Sequence, residues 1–587
     1  MLRTSFSIIL IILLTAAIYA NSLNNSFIYD DLFVIVNNDF IKSWKNLALL
    51  FNKAYLTSEK DLDFLGIHDI GSGEFSYRPV VTLSYFIDYS IWKMKPFGYH
   101  LTNLLLHICN AIFLFLLATL IMNDSGLALL ASLLFSLHPV NAEAVNCICF
   151  REDLLAFFFF TASLSFYIII KQHYYSKRIN ILLYLGSLVS FLLALFSKEM
   201  AITLPIIIIL YDYFFVFKNK LRDFFINLRS YYFGFFLAGI SYLWVWKWVM
   251  GGSHIIAKYP GGNFYNHIFK MITIIGTYIR WILLPRNIPV TAQYESFIIF
   301  HKFSAEILIS VSVIVFSLIC AIKSYKTARG ISFAIFWFFI TLLPVYNIFP
   351  ISNIMANRYL YIPAAAGCFL IALLLFKLPQ LDFFGILQIN PKQYRIVLII
   401  IILLSYSIFT IIRNPIWKND ITLGLELAKT YPNNAVSHRN LAYAFGVNGL
   451  LDRAIEENKI AISLTPRYLD AHIDLGVSYF EKGLLEEAIS EYKEALRLNR
   501  DKMMLPIIYT NIGAVFTKKG LYEKAIDYFE TAIKIDPRYM PAYDNIGIAY
   551  SLMKNFNEAK RIWEKGLEIN PKYKSIKINL EKLKKIN

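Results

Sequence analysis

Two adjacent carboxylates, Asp30 and Asp31, stand in the stretch Phe27-Ile-Tyr-Asp-Asp-Leu-Phe, shortly after an apolar N-terminal run. Other polar clusters follow at intervals. They are Tyr77-Arg78-Pro79, Tyr99-His100 with Asn103 and His107, and His138-Pro-Val-Asn-Ala-Glu143. Later come Arg151-Glu-Asp153, Lys198-Glu199 and Asn357-Arg358-Tyr359-Leu-Tyr361. A carboxylate within hydrogen-bond reach of a hydroxyl can act as a general base, and a guanidinium binds phosphate bidentately. Ionisable groups at a membrane boundary are costly and mark functional sites by default. The plainer reading is that such charges anchor spans or pair with one another. That reading is weakest for Asp30 and Asp31, because two adjacent carboxylates beside a hydrophobic exit gain nothing as an anchor.

The elements that would gather these groups are membrane spans. The chain has 587 residues, 57% of them hydrophobic, with 49 Phe and 38 Tyr. Ordinary globular domains are about 45–50% apolar, so a disordered, fibrous or wholly soluble protein is excluded. Charge divides the chain: residues 418–587 hold 26 Lys/Arg against 22 Asp/Glu, only +4 of the net +16. The remaining +12 lies between hydrophobic segments, where basic loops orient a membrane protein, and nucleic acid is not an expected partner. Five cysteines lie in or beside apolar segments. Cys147 and Cys149, two apart, resemble neither a disulfide framework nor a zinc motif.

Runs long enough for a bilayer occur at 4–20, 101–121, 126–142, 154–170, 180–196, 201–216, 230–249, 303–322, 331–349, 358–376 and 396–413. The first, which follows Arg3 and ends in Ala-Ile-Tyr-Ala, also fits a signal peptide, but an uncleaved anchor is expected. A further run, 268–284, is ambiguous. If it does not cross, the basic loops 171–178, 218–229, 323–329 and 377–395 all face the cytoplasm, as the positive-inside rule asks. Eleven spans then put the C-terminus outside, on the side of the long loop 21–98, and the polar clusters above all fall on that outer face.

The charged tail repeats. Ala442, Gly476, Gly513 and Gly547 begin equivalent turns at spacings of 34, 37 and 34 residues. Second helices carry Ala454, Ala488, Ala525 and Ala559, and Pro432, Pro466, Pro537 and Pro571 close units. Asn499-Arg500 replaces the proline of the second unit, and three extra residues follow it. This pattern resembles the tetratricopeptide repeat, paired antiparallel helices stacked into a solenoid. Units are expected near 436–469, 470–503, 507–540 and 541–574, with a half-unit at 417–435 and a capping helix at 575–587. The predicted fold is all-α: a polytopic helical membrane domain of about eleven spans over 1–416, then a repeat solenoid over 417–587.

The ordered set of clusters, followed by these repeats, resembles one family across nearly the whole chain. That family is the transmembrane and tetratricopeptide repeat-containing O-mannosyltransferases and their prokaryotic relatives, within the GT-C membrane glycosyltransferases. Two departures stand out: Ala292-Gln293-Tyr294, where an acidic residue often precedes the Tyr, and the Glu inserted in Arg151-Glu152-Asp153. The resemblance implies transfer of a mannose-like hexose from a polyprenyl-phosphate donor to an acceptor hydroxyl at the extracytoplasmic face. The membrane would be the plasma membrane in a prokaryote and the endoplasmic reticulum in a eukaryote. Asp30 or Asp31 would be the base and the anomeric centre would invert. Arg358 would hold the donor phosphate, with Arg78 or Arg151 sharing that role. His100, His107, His138, Glu143, Asp153, Lys198, Glu199 and Tyr359 would bind substrate or order the first loop. The scheme names no cofactor for certain. Asp30 and Asp31 can hold a divalent metal, although adjacent carboxylates alone are a weak metal signature. The repeats would recruit a protein acceptor or partner, or form a lid without a ligand. Two competing readings are a glycan or lipid acceptor and a non-enzymatic membrane scaffold. A transporter is disfavoured, since its ionisable groups would lie near the bilayer midplane.

Overall fold

The apolar runs fold as helices whose limits are set by a few polar and proline residues. Asp124 caps Ser125–Leu137 by accepting the N–H groups of Gly126 and Leu127, and Pro79 and Pro96 open their helices at the first turn. The Asp124 cap satisfies first-turn N–H groups that have no partner within the helix, and a proline at the first turn brings no N–H to satisfy. The helix Ser125–Leu137 stops at His138, held extended before Pro139, because the α region is disfavoured for a residue preceding proline. The chain then bends by 45° into Pro139–Asn146, and that bend carries Glu143 and the turn after it inward.

The computed structural model describes residues 2–51, 77–173, 175–217, 231–250, 264–290, 305–348, 353–377, 391–499, 504–571 and 573–585. The loop 218–229, Ala292-Gln293-Tyr294, Arg500, most of 377–395 and part of the first loop lie outside them. Every regular element among the described residues is helical. Described residues up to Asn419 form one unit and those from Asp420 a second.

In the first unit nine described helices are long and apolar enough to cross a membrane. The bent pair Ser125–Leu137 and Pro139–Asn146 is a tenth candidate, and Arg329–Val345 is apolar but shorter. These eleven coincide with the runs read in the sequence. Asn357–Lys377 and Ile148–Gln172 are central, with 83% and 78% of their apolar windows buried, whereas Lys392–Trp417 has 11%. The peripheral helix turns Ile396, Val397, Ile400, Leu404 and Ile408 outward, a surface suited to lipid.

The bundle has two distinct ends. At one, Asn414 donates to the Ile18 carbonyl and to Asn21, and the Ser26 N–H donates to the Lys418 carbonyl. The first and last spans therefore finish together. At the other, Gln172 donates to the Leu120 carbonyl and Arg395 lies over the Phe376 ring. The ambiguous run forms the helix Phe264–Leu283. His267 near its start contacts the Asn347 carbonyl at 2.8 Å, and just past its end the Ile288 and Pro289 carbonyls accept from Arg413. Both flanks meet the same end of the bundle.

The second unit is a run of helical hairpins from Ala435–Val447 to Phe556–Ile569, preceded by Asp420–Thr430 and closed by Lys574–Lys584. Its packing rule is local. A Cβ on Gly476, Gly513 or Gly547 would come within 2.5, 2.5 or 2.2 Å of the ring of Tyr492, Phe529 or Trp563. Only glycine admits a ring that close. The first hairpin has Ala442 instead, and the smaller, buried Asn458 stands at the sequence position that the ring takes in the others.

Candidate active site at one end of the bundle

The first loop turns sharply at Tyr29, whose φ of +54° is left-handed, a conformation uncommon for a residue with a Cβ. This turn separates the fates of the two carboxylates. Asp31 is fully buried, accepting the Ile28 N–H on Oδ2 at 3.2 Å and the Cys149 N–H on Oδ1 at 2.7 Å. Burial pushes its pKa up to about 7, with those N–H donors opposing the shift. Asp30 is half-buried, and its charge acts on the thiols of Cys147 and Cys149. Asp31 fastens the loop to the turn at 147–150, while Asp30 keeps solvent access beside it.

Three cations converge at the same end. Arg358 Nη1 pairs with Glu143 Oε1 at 3.0 Å, and the Arg358 N–H donates to Glu143 Oε2 at 3.2 Å. Its guanidinium lies 4.0 Å over the Phe150 ring, next to the turn that Asp31 grips. Lys198 Nζ pairs with Asp153 at 2.6 Å and Glu152 at 3.0 Å, and lies 5.5 Å from the centre of the Tyr359 ring. Burial lowers the Lys198 pKa and Asp153 opposes it. Arg78 bridges Glu152 and Glu199. Three cations thus face four carboxylates, so the cluster has no positive surplus. An anion here must be held by directed donors, and Nε of both Arg358 and Arg78 has no hydrogen-bond partner among the described residues.

Arg151 differs. Its Nε donates to Asn103, Nη1 to Ser84, and Nη2 to the Tyr99 carbonyl, with Asp88 at 2.6 Å and the Tyr85 ring beneath. With all three nitrogens engaged and no exposure, it braces helices. His100 reaches the Ser26 carbonyl at 3.4 Å and so tethers the first loop. His107 sits between the Tyr361 hydroxyl and the Ser136 carbonyl, and His138 between the Ile282 carbonyl and the Val140 N–H. These two tie helices together, each with its ring nitrogens engaged or turned to protein groups rather than to a ligand site. The sequence reading passed over Asp88, Phe150 and the contact of Asp31 with Cys149. Asp88 had a signal, a lone acid within an otherwise apolar helix Pro79–Trp92.

Comparison with known proteins narrows the chemistry. A protein O-mannosyl-transferase of Caenorhabditis elegans is 27% identical over 486 residues, covering 79% of this chain and 63% of that one. Protein O-mannosyl-transferase TMTC3 of Homo sapiens is 24% identical over 517 residues, 80% of this chain and 52% of its own length. The chain is similar to protein O-mannosyl-transferases along most of its length. It spans only about half to just under two thirds of those relatives. Tetratricopeptide repeat models match residues 506–539 and 541–573, and a TPR repeat model matches 478–520. The C-terminal unit is therefore a tetratricopeptide repeat array. The crystal structure of MamA protein matches 26% of this chain at 30% identity, with a TM-score of 0.23. The membrane unit thus combines O-mannosyl-transferase likeness with a polar cluster at one end of an apolar bundle.

Proposed function

We propose that this protein is an integral-membrane glycosyltransferase. It moves a mannose-like hexose from a polyprenyl-phosphate donor to a hydroxyl of a protein acceptor at the extracytoplasmic face. The observation that carries the reading is that the first-loop turn bearing Asp30 packs on the turn 147–150, over which Arg358 lies with an unengaged Nε. On this reading Asp30 is the base and Arg358 the phosphate-binding cation.

In this scheme Asp30 takes the proton of the acceptor hydroxyl as its oxygen attacks the anomeric carbon from the face opposite the phosphate. The C–O bond to phosphate breaks as the new glycosidic bond forms, so the anomeric centre inverts. Phosphate leaves without prior protonation, which removes the need for the second carboxylate of a glycosidase. Arg358 holds the leaving phosphate, with Arg78 at the far side of the carboxylate network. Glu143 orients the guanidinium, and Lys198 fixes Glu152 and Asp153. Asp31 and His100 hold the loop, and the repeats recruit the acceptor polypeptide or an assembly partner.

The test is mass spectrometry of protein-linked glycans in cells carrying Asp30→Asn or Asp31→Asn, each matched for expression. Loss of a general base costs about 10²–10⁴-fold in rate, and that loss is expected for Asp30→Asn. Unchanged glycans in both variants would remove the enzyme reading. Deleting residues 433–587 separates the acceptor classes, because a glycan or lipid acceptor survives that loss better than a recruited protein.

A further inference from the structure

Beside the proposed base lies a cluster whose two thiols sugar transfer does not use. Asp31, Cys147 and Cys149 each offer one ligand atom, and those atoms all lie within 4.8 Å of one another. The two Sγ atoms are 3.1 Å apart, and Cys147 Sγ is 3.9 Å from Asp31 Oδ1. Cys147 is fully buried and Cys149 is 9% exposed. The Cys-x-Cys spacing alone is no zinc motif. The fold supplies what the spacing lacks, a carboxylate from 116 positions away.

We propose that Asp31, Cys147 and Cys149 bind one thiophilic divalent cation of the zinc type beneath the first loop. Zinc takes Cys sulfur at about 2.3 Å and carboxylate oxygen at about 2.0–2.2 Å in a tetrahedron. Bonds of that length set two sulfurs about 3.8 Å apart, so the thiols need open by less than about 1 Å. Two thiolates and a carboxylate favour zinc over magnesium or calcium, which prefer all-oxygen shells. Asp31 is already oriented: each carboxylate oxygen accepts one backbone N–H and keeps a second lone pair for the ion. Three protein ligands leave the fourth position to water. The bound ion fastens the first loop to the turn 147–150, and so holds Asp30 next to the turn beneath Arg358. Binding stands independently of the sugar-transfer reading, since it is measured without turnover.

The experiment titrates the purified full-length chain, reduced and stripped of metal in detergent, with Zn²⁺ and with Cd²⁺. The expected result is one Cd²⁺ per chain, with an ultraviolet thiolate-to-cadmium charge-transfer band that Zn²⁺ displaces. Cys147→Ala/Cys149→Ala loses the band, and Asp31→Asn weakens binding at least tenfold. Cys109→Ala/Cys320→Ala/Cys368→Ala keeps both band and stoichiometry, which covers the case in which the paired variant does not fold. No band in the wild-type chain overturns the proposal, as does loss of the band in the triple variant. A Cys147–Cys149 disulfide in the folded chain, read as a mass lower by two hydrogens that reductant restores only after unfolding, also overturns it.

Discussion

In the membrane bundle, helices meet at one end through buried charge pairs: Arg151 with Asp88, Lys198 with Asp153, and Arg358 with Glu143. In the repeat array they meet through rings on glycines, as Tyr492 on Gly476 and Phe529 on Gly513. A buried pair is directional and unforgiving, because removing one partner strands the other in a low-dielectric interior. A ring on a glycine is a local steric fit, and its disruption is borne mainly by one hairpin and its neighbours. The bundle uses the directional contact where groups must be aimed. The array uses the forgiving one where a surface must be repeated.

The largest effect that separates these regimes is expected at Arg151. Arg151→Met leaves Asp88 unpaired and should lower stability by about 3–5 kcal/mol, read as lost yield of folded protein and a lower melting temperature. Arg151→Met/Asp88→Leu should recover most of that loss. If the single substitution is as well tolerated as a surface change, the claim that this pair braces the site end is wrong.

A smaller, strictly local effect is expected in the array. Gly513→Ala sets a methyl group against the Phe529 ring and should cost about 1–3 kcal/mol. Phe529→Leu added to it should return part of that. The first hairpin offers the converse: Asn458→Tyr should destabilise in the presence of Ala442 and be rescued by Ala442→Gly. Additive effects of Asn458→Tyr and Ala442→Gly in a double-mutant cycle would break the ring-on-glycine rule.

The smallest effect is a pH dependence. His472 Nδ1 contacts Glu491 at 2.7 Å, and that hydrogen bond raises the His472 pKa above its usual value, against burial. A raised histidine stabilises the fold fully below its unfolded pKa, about 6.5, and that contribution fades as pH rises through the folded value. The melting temperature of the repeats should therefore fall modestly between about pH 6 and 8, and the slope should flatten in His472→Gln. An unchanged slope would show that the contact carries no linked proton.

The repeats were legible in the sequence because their partners are near in the chain. Gly476 and Tyr492 belong to one hairpin, and the same offset recurs in Gly513 with Phe529 and Gly547 with Trp563. The spans were legible because a bilayer imposes a length and a composition. The candidate site was legible only as an inventory. Asp30, Asp31, Glu143, Lys198 and Arg358 could each be named as a costly charge at a boundary. Their partners could not, since Asp31 meets Cys149 across 118 positions and Arg358 meets Glu143 across 215. Arg151 and Arg358 look alike as boundary arginines, and only their surroundings separate a guanidinium with every nitrogen engaged from one whose Nε has no partner among the described residues.

The sequence by itself determined the class of the protein: apolar runs, basic loops and a 34-residue period define a membrane bundle followed by a helical solenoid. These are properties of composition and periodicity, which survive without knowledge of any contact. Tertiary structure decided which carboxylate anchors and which keeps solvent access, and which arginine retains a donor. It also set the Asp31 carboxylate beside two cysteines of unpromising spacing. The physical reason is that hydrogen bonds and ion pairs act over about 3 Å, and proximity on that scale between distant residues is created only when the helices pack.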